Sequence, residues 1–392
     1  MAVYKIFPEK DTTIYSLFPF MNTGVDEIVE ATTTTFGVDT FPQTSRTLMK
    51  FSDNEINNVI DNIIKGIGYV GEVNLKLYIA TAEGLNEDTT IETYPISGAW
   101  NMGTGKYLDN PITTNGASWQ YYNFSGSNKW PITGFDRYVT ASMDPYGVGG
   151  GGTWWWRDPQ SDKIFITTQS INYSDTKDLT LPVKPIIESW YSASKGFVRY
   201  DKPDGWPQIG NEGFIIKQTN SNEFINVADK ATELKYFSID TNTIYPPQLE
   251  FKWLDFVYTT GSSSHQTIDT RNLVVSLQDN PGVFRNNEIY DFRVKCRPKY
   301  PARVFQTASL YTTNYYLPRE SYYAIKDLDT NEFIIDFHTS YTQISADEES
   351  NYFRLYMNGL EPERYYQILV KTTIGRDTIV LDNNYYFKII NG

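Results

Sequence analysis

Apolar residues recur at every second position in one stretch after another of this 392-residue chain. Val73, Leu75, Leu77 and Ile79 alternate with Asn74, Lys76 and Tyr78. Leu249, Phe251 and Trp253 alternate with Gln248, Glu250 and Lys252. Leu273, Val275 and Leu277 repeat the pattern, as do Tyr290, Phe292, Val294 and Cys296. A period of two puts neighbouring side chains on opposite faces of a strand, so each stretch has one face to bury. Clear helical spacing occurs once, at Ile56, Val59, Ile60, Ile63 and Ile64. There Ser52 and Glu55 make a capping box, Lys65 falls in the last turn and Gly66 stops the helix. Leu181 to Ser192, entered through Pro182 and Pro185, is expected to add one helical turn. The fold class expected is all-β, with helix confined mainly to residues 53–65.

A chain of this length suggests two or three domains and can bury a core without staples. The first expected unit is a β-sandwich over residues 1–258, with a loop-rich insertion at about 98–160 full of Gly, Asn, Ser, Thr and Trp. Gly261-Ser262-Ser263-Ser264-His265 then reads as a linker or a hairpin loop at the domain edge. The second expected unit is a β-sandwich over 266–392. Within it Tyr323 and Ile325 are expected to pair with Phe333, Ile335 and Phe337 across a turn at Asp327 to Asn331.

The net charge is −13. By count, residues 1–257 carry −11 and the remainder −2. An acidic surface repels phosphate backbones, so nucleic acid is not an expected partner. The single cysteine, Cys296, cannot form an internal disulfide and reads as a small core hydrophobe in a strand. The opening MAVYKIFPEK lacks the apolar run of a signal peptide, and no apolar run is long enough for a membrane-spanning helix. Synthesis in the cytoplasm is expected, with no membrane insertion. Thirty tyrosines in a β-rich chain suit a protein that joins an extracellular particle released by lysis.

Motifs for catalysis are weak. His265 and His338 have no nucleophile elbow near them in sequence. Gly147, Gly149 and Gly152 match GxGxxG in spacing, but Thr153 and three tryptophans follow where a helix should start, so the run reads as a flexible aromatic loop. Asp327 to Asn331 resembles half a calcium loop. Glu332 stands at the sixth position and His338 at the twelfth, so a β-turn is the better reading. Paired carboxylates for glycoside hydrolysis are set by space rather than by sequence, and neither a barrel alternation nor a β-helix repeat accompanies them. No catalytic residue, metal ligand or cofactor is expected. The sharpest functional feature is Trp154-Trp155-Trp156. Neighbours on a strand point to opposite faces, so three consecutive tryptophans cannot share one core. They are the candidate interface residues, expected to bury against another subunit; the alternative is a loop folded back on its own sandwich.

Several stretches carry resemblances. Asp11 to Tyr15, Asn22-Thr23-Gly24, Ser45 to Phe51, Val73 to Tyr78, Trp100, Trp119, Trp190, Asn211 to Lys217 and Pro247 to Trp253 occur in an order that resembles the DNRLRE-type domain. That domain is a jelly-roll-like β-sandwich related to carbohydrate-binding modules. Leu360-Glu361-Pro362-Glu363-Arg364-Tyr365-Tyr366 resembles the Leu-x-Pro-x-x-x-Tyr corner of fibronectin type III and other Ig-like domains, with Tyr365 expected as the buried tyrosine and Tyr366 as the alternative inward residue. The opening MAVYKIFPEKDTTIYSLFP, LKYFSIDTNTIYPPQLEFKW and SYYAIKDLDTNEFIIDF are similar to virion structural proteins of marine T4-like tailed phages. The resemblance implies a non-enzymatic virion protein, an adaptor or decoration of the tail, baseplate or neck, held by contacts with other virion proteins in multiple copies. The alternative it leaves open is a carbohydrate-binding module displayed on the virion to grip host surface glycan.

Overall fold

The computed structural model describes residues 2–34, 43–85, 88–124, 127–130, 137–139, 150–165, 167–197, 208–223, 231–260, 265–300 and 314–392, with 137–139 and 265 described by backbone alone. Gly147, Gly149 and the linker residues 261–264 lie outside them. The fold is all-β, built almost wholly from antiparallel sheets. The chain forms two compact units, one of Met1–Lys5, Gly68–Gly71 and Phe251–Gly392, the other of Ile6–Ile67 and Glu72–Glu250.

These limits differ from the expected 1–258 and 266–392. Val3 lies in the same core as Phe353 and Leu355, and the Asn358 side-chain amide donates to the Lys5 carbonyl at 2.5 Å. Gly71 sits where an added Cβ would meet Tyr341 Oη at 2.7 Å. The start of the chain and a short segment after the first helix therefore pack with the C-terminal unit.

The unit of 6–67 and 72–250 holds a nine-stranded sheet. Its central strand, Phe214–Gln218, is buried at every residue and pairs with Gln43–Phe51 on one side and Thr89–Pro95 on the other. Ile215 faces Leu48 and Tyr94 across these pairings, so the apolar alternation fixes the register. Leu75 and Leu77 pair with Leu181 and Leu179.

The helix over 53–65 forms differently from the expectation. Ser52 is extended and makes no side-chain cap bond; the α-helix runs Asp53–Asn58, and Val59–Ile64 winds as a π-helix. Val59 and Ile64 are five residues apart and both buried. A wider turn brings positions i and i+5 onto one face, where an α-turn would separate them. The stop comes from Lys65, which takes the left-handed conformation (φ 67), while the Gly66 N–H donates to the Ile60 carbonyl at 2.8 Å. The second helix, Lys184–Ser194, has eleven residues rather than a single turn. Pro185 falls in the first turn, where its missing N–H costs nothing, so it starts the helix instead of limiting it. Trp190 from this helix packs on Phe214 at 4.7 Å.

The C-terminal unit is a β-sandwich of a six-stranded and a five-stranded sheet sharing one core. Phe292 and Phe353 from the first stack on each other, and Phe353 stacks on Tyr323 from the second, 4.2 Å apart at 15°. Ser321–Asp327 pairs with Phe333–Ile335 through Ile325 and Ile335. Cys296 is buried and donates to the Tyr315 carbonyl at 3.3 Å, and burial pushes its thiol up to about 12.

Candidate functional site

The tryptophan triplet lies inside its own unit. Strand Thr153–Trp155 pairs with Arg137–Val139 and bridges to Ile96. Trp154 and Trp155 are 2% and 4% exposed, and Trp156 is 37% exposed. Trp154 belongs to a core of Ile14, Leu48, Trp100, Trp119 and Ile215. Both faces of this strand are covered, so two adjacent tryptophans are buried and neither is available to a partner. The expected interface of Trp154, Trp155 and Trp156 therefore reduces to Trp156. The insertion is part of the core, since Trp100, Trp119, Trp130 and Trp154 all come from it.

Gly150, Gly151 and Gly152 do not make a slack loop. All three have positive φ, and an added Cβ would meet Trp119 O at 2.2 Å, Arg46 Nη1 at 2.5 Å and Ile215 Cδ1 at 2.8 Å respectively. The space they leave admits the guanidinium of Arg46, whose Nη1 donates to the Gly151 carbonyl at 2.5 Å. The same guanidinium donates to Glu223 through Nε at 3.0 Å and Nη2 at 2.6 Å, and lies over the rings of Trp119 and Trp154. Lys217 completes the cluster, 3.4 Å from Glu223 and 3.5 Å from Glu92. Burial holds its ammonium below the usual lysine range, with Arg46 adding to the effect against the pull of Glu223 and Glu92. The Arg46 and Glu223 side chains have no exposure at all. A charge cluster sealed in this way organises the interior; no substrate can reach it.

Other polar residues from the sequence pattern do similar work. Asn22 donates to the carbonyls of Met102 and Ala117 at 2.7 and 2.8 Å and accepts from the Gly105 N–H at 2.9 Å. Asn211 donates to the Phe51 carbonyl at 2.8 Å.

A cleft of about 210 Å³ opens beside the N-terminal strands of this unit. Tyr15 and Phe18 pack against the Tyr107 ring at 5.0 and 6.1 Å. Opposite chemistry comes from Glu30, Glu233 and Lys235, with threonines and Gln43 completing the wall. Lys235 Nζ is 2.9 Å from Glu233 and 4.0 Å from Glu30. Burial raises the Glu30 carboxyl above its usual range, opposed by Lys235. The hydrogen bond to Glu233 holds the Lys235 ammonium above its usual range. One ammonium sits between two carboxylates, so this wall is ion-paired rather than an open acid and base. Nothing local in the sequence marks it, because Lys235 meets Glu30 through sheet pairing and Tyr107 comes from a turn of the insertion.

The remaining candidates are settled locally. His338 stacks on Tyr341 at 4.7 Å and accepts from the Ser340 N–H at 3.0 Å. The Asp327 carboxylate accepts from the N–H groups of Asp329 and Thr330 and takes a bidentate Arg364, at 2.6 and 2.8 Å. Burial opposes its charge, but Arg364 and the turn N–H groups outweigh that and hold it below the usual carboxylate range. The turn is therefore an arginine-locked β-turn.

No family model matches the chain, and no curated protein matches it. Among solved structures, a DUF4785 family protein from Legionella pneumophila aligns at 8% identity over all of this chain and 69% of its own, with a TM-score of 0.15. A likeness that low carries no argument about fold or function.

Proposed function

We propose that the chain is a structural component of a tailed-phage virion, an adaptor or decoration protein of the tail, baseplate or neck that acts by protein contacts and not by catalysis. What supports this reading is the disposition of its reactive groups. Arg46, Glu223 and Lys217 are sealed in the interior, and Asp327 is locked to Arg364. Large apolar side chains such as Trp156, Phe20, Leu108 and Tyr386 stand in solvent instead. Exposed apolar side chains at turns and on a sheet face suit assembly. No helix among the described residues is long and apolar enough to cross a membrane. The test is antibody labelling of particles from lysates, using antibodies raised against the free chain. Labelling at one fixed position on the particle is expected; unlabelled particles alongside abundant free chain would reject the reading.

The cleft supports a second reading, a virion-displayed module for host surface glycan. Its rings offer an apolar wall to a sugar face, while Glu30, Lys235 and the threonines offer hydrogen bonds to hydroxyls. A glycan array probed with the free chain and with Tyr107→Ala tests it. Signal lost in the variant supports the module; an array with no signal for the free chain removes it.

A further inference from the structure

The five-stranded sheet of the C-terminal unit has one face on the core and one in solvent. Tyr323, Ile325, Tyr366, Ile368 and Phe387 point into the core. On the opposite face Phe333, Lys326, Gln367 and Tyr386 lie in one row across four strands, through the pairs Lys326–Phe333, Lys326–Gln367 and Gln367–Tyr386. Tyr322, Lys371 and Val380 form a second row, and Tyr365 pairs with Lys388. Phe333, Tyr365, Val380 and Tyr386 are large apolar side chains about half exposed on this single face. A free monomer rarely leaves so many together.

The charges between these side chains are unusual for an acidic chain. Lys371 Nζ lies 4.6 Å over the Phe337 ring and 5.4 Å from Tyr322, and Lys326 lies 5.7 Å over Phe333. Among the described residues, neither lysine has a carboxylate within ion-pair reach, whereas Lys76, Lys163, Lys195 and Lys235 all do. The third cation, Lys388, is bridged to Glu363, and Asp382 accepts from Gln367. The face thus presents two ammoniums with their stems laid on aromatic rings and their charges unanswered.

We propose that this face is a docking surface for a polypeptide partner that carries carboxylate side chains among apolar ones. The charge selects an acidic partner. The apolar relief selects a polypeptide over an acidic polysaccharide: Tyr365 and Tyr386 meet edge to face at 71°, so they give pockets for side chains and no coplanar platform for sugar rings. The partner's carboxylates meet Lys326 and Lys371, and its apolar side chains cover Phe333, Val380 and Tyr386. This names a partner chemistry for the adaptor reading and is tested apart from it, since binding is measured on the free chain.

The experiment is fluorescence anisotropy of a labelled peptide of alternating glutamate and tyrosine, titrated with the full chain. Saturable binding that weakens with added salt is expected. K326E/K371E should weaken it about tenfold or more, and K326Q/K371Q should give a smaller loss in the same direction, with melting temperatures unchanged for both. K295E/K299E, the same charge change on exposed lysines in and just past strand Ile289–Pro298 of the other sheet, should bind as the unaltered chain does. Failure of the unaltered chain to bind the peptide would overturn the proposal. So would equal loss in the K295E/K299E control, or binding of alginate without binding of the peptide.

Discussion

The hydroxyl of Tyr366 donates to the carbonyl of Glu361, five residues upstream, at 3.1 Å, while Tyr365 beside it stands 46% exposed. The bond ties the entry of strand Tyr365–Ile374 to the preceding turn, the geometry of a tyrosine corner. The tyrosine at the corner is thus Tyr366 and not Tyr365. Tyr366→Phe should cost about 1–3 kcal/mol, because it leaves a partly buried carbonyl without its donor. Tyr365→Phe should cost close to nothing. Denaturant unfolding of the two variants measures both, and equal costs would mean the corner bond does not hold the strand.

Arg46 and Glu223 form the buried pair on which the interior of the larger unit is assembled. Glu223→Gln leaves the buried Arg46 without its carboxylate and should cost about 3–5 kcal/mol, whereas Arg46→Met leaves Glu223 with Lys217 at 3.4 Å and should cost less. The double variant should cost less than the two single costs added, because neither charge is then stranded. Additive losses would show that the pair is not a coupled unit.

Asp11 gives the chain a pH dependence of definite sign. Its carboxyl is buried and accepts from the Ile239 N–H at 2.8 Å. Burial pushes it up to about 7, with Asp240 adding and the Ile239 bond opposing. A carboxyl raised on folding contributes stability that is fully present below its unfolded value of about 4 and is lost as pH rises through about 7. The loss should be a few kcal/mol at most. Melting temperature should therefore fall as pH rises from about 4 to about 7, and Asp11→Asn should reduce that fall. An Asp11→Asn chain with the same pH profile would remove Asp11 as the cause.

The three tryptophans should separate cleanly. Trp154→Ala opens a cavity in a packed core and should cost about 3–5 kcal/mol. Trp155→Ala should fall in the same range, and Trp156→Ala within about 0.5 kcal/mol of zero. Thermal unfolding of the three single variants checks this. A large loss from Trp156→Ala would place that ring in the core with the others.

Strands with one-sided alternation were legible from the sequence because period two is a local signal: Gln248–Trp253 begins and ends where the pattern does. The corner was also legible: the motif leaves three residues between its proline and its tyrosine, which from Pro362 lands on Tyr366, one residue beyond the expected Tyr365. The close packing at Gly150 to Gly152 has no local signature, because glycine permits both freedom and close approach, and only the positions of Trp119, Arg46 and Ile215 decide which. The burial of two neighbouring tryptophans needs cover on both faces of their strand, which no local pattern announces. The cleft was invisible for the same reason. Tyr107 reaches Tyr15 only because the insertion folds back on the sheet, and Lys235 reaches Glu30 through the pairing of Ala231–Phe237 with Ile28–Glu30.

The proposed role makes this chain a built-in part of a particle. A cryo-EM map of purified virions tests it most directly. The expected map contains both β units of this chain at a fixed position, in a symmetric set of copies, with the Phe333–Tyr386 face covered by a neighbouring protein. Particles whose density is fully accounted for by other chains would contradict it.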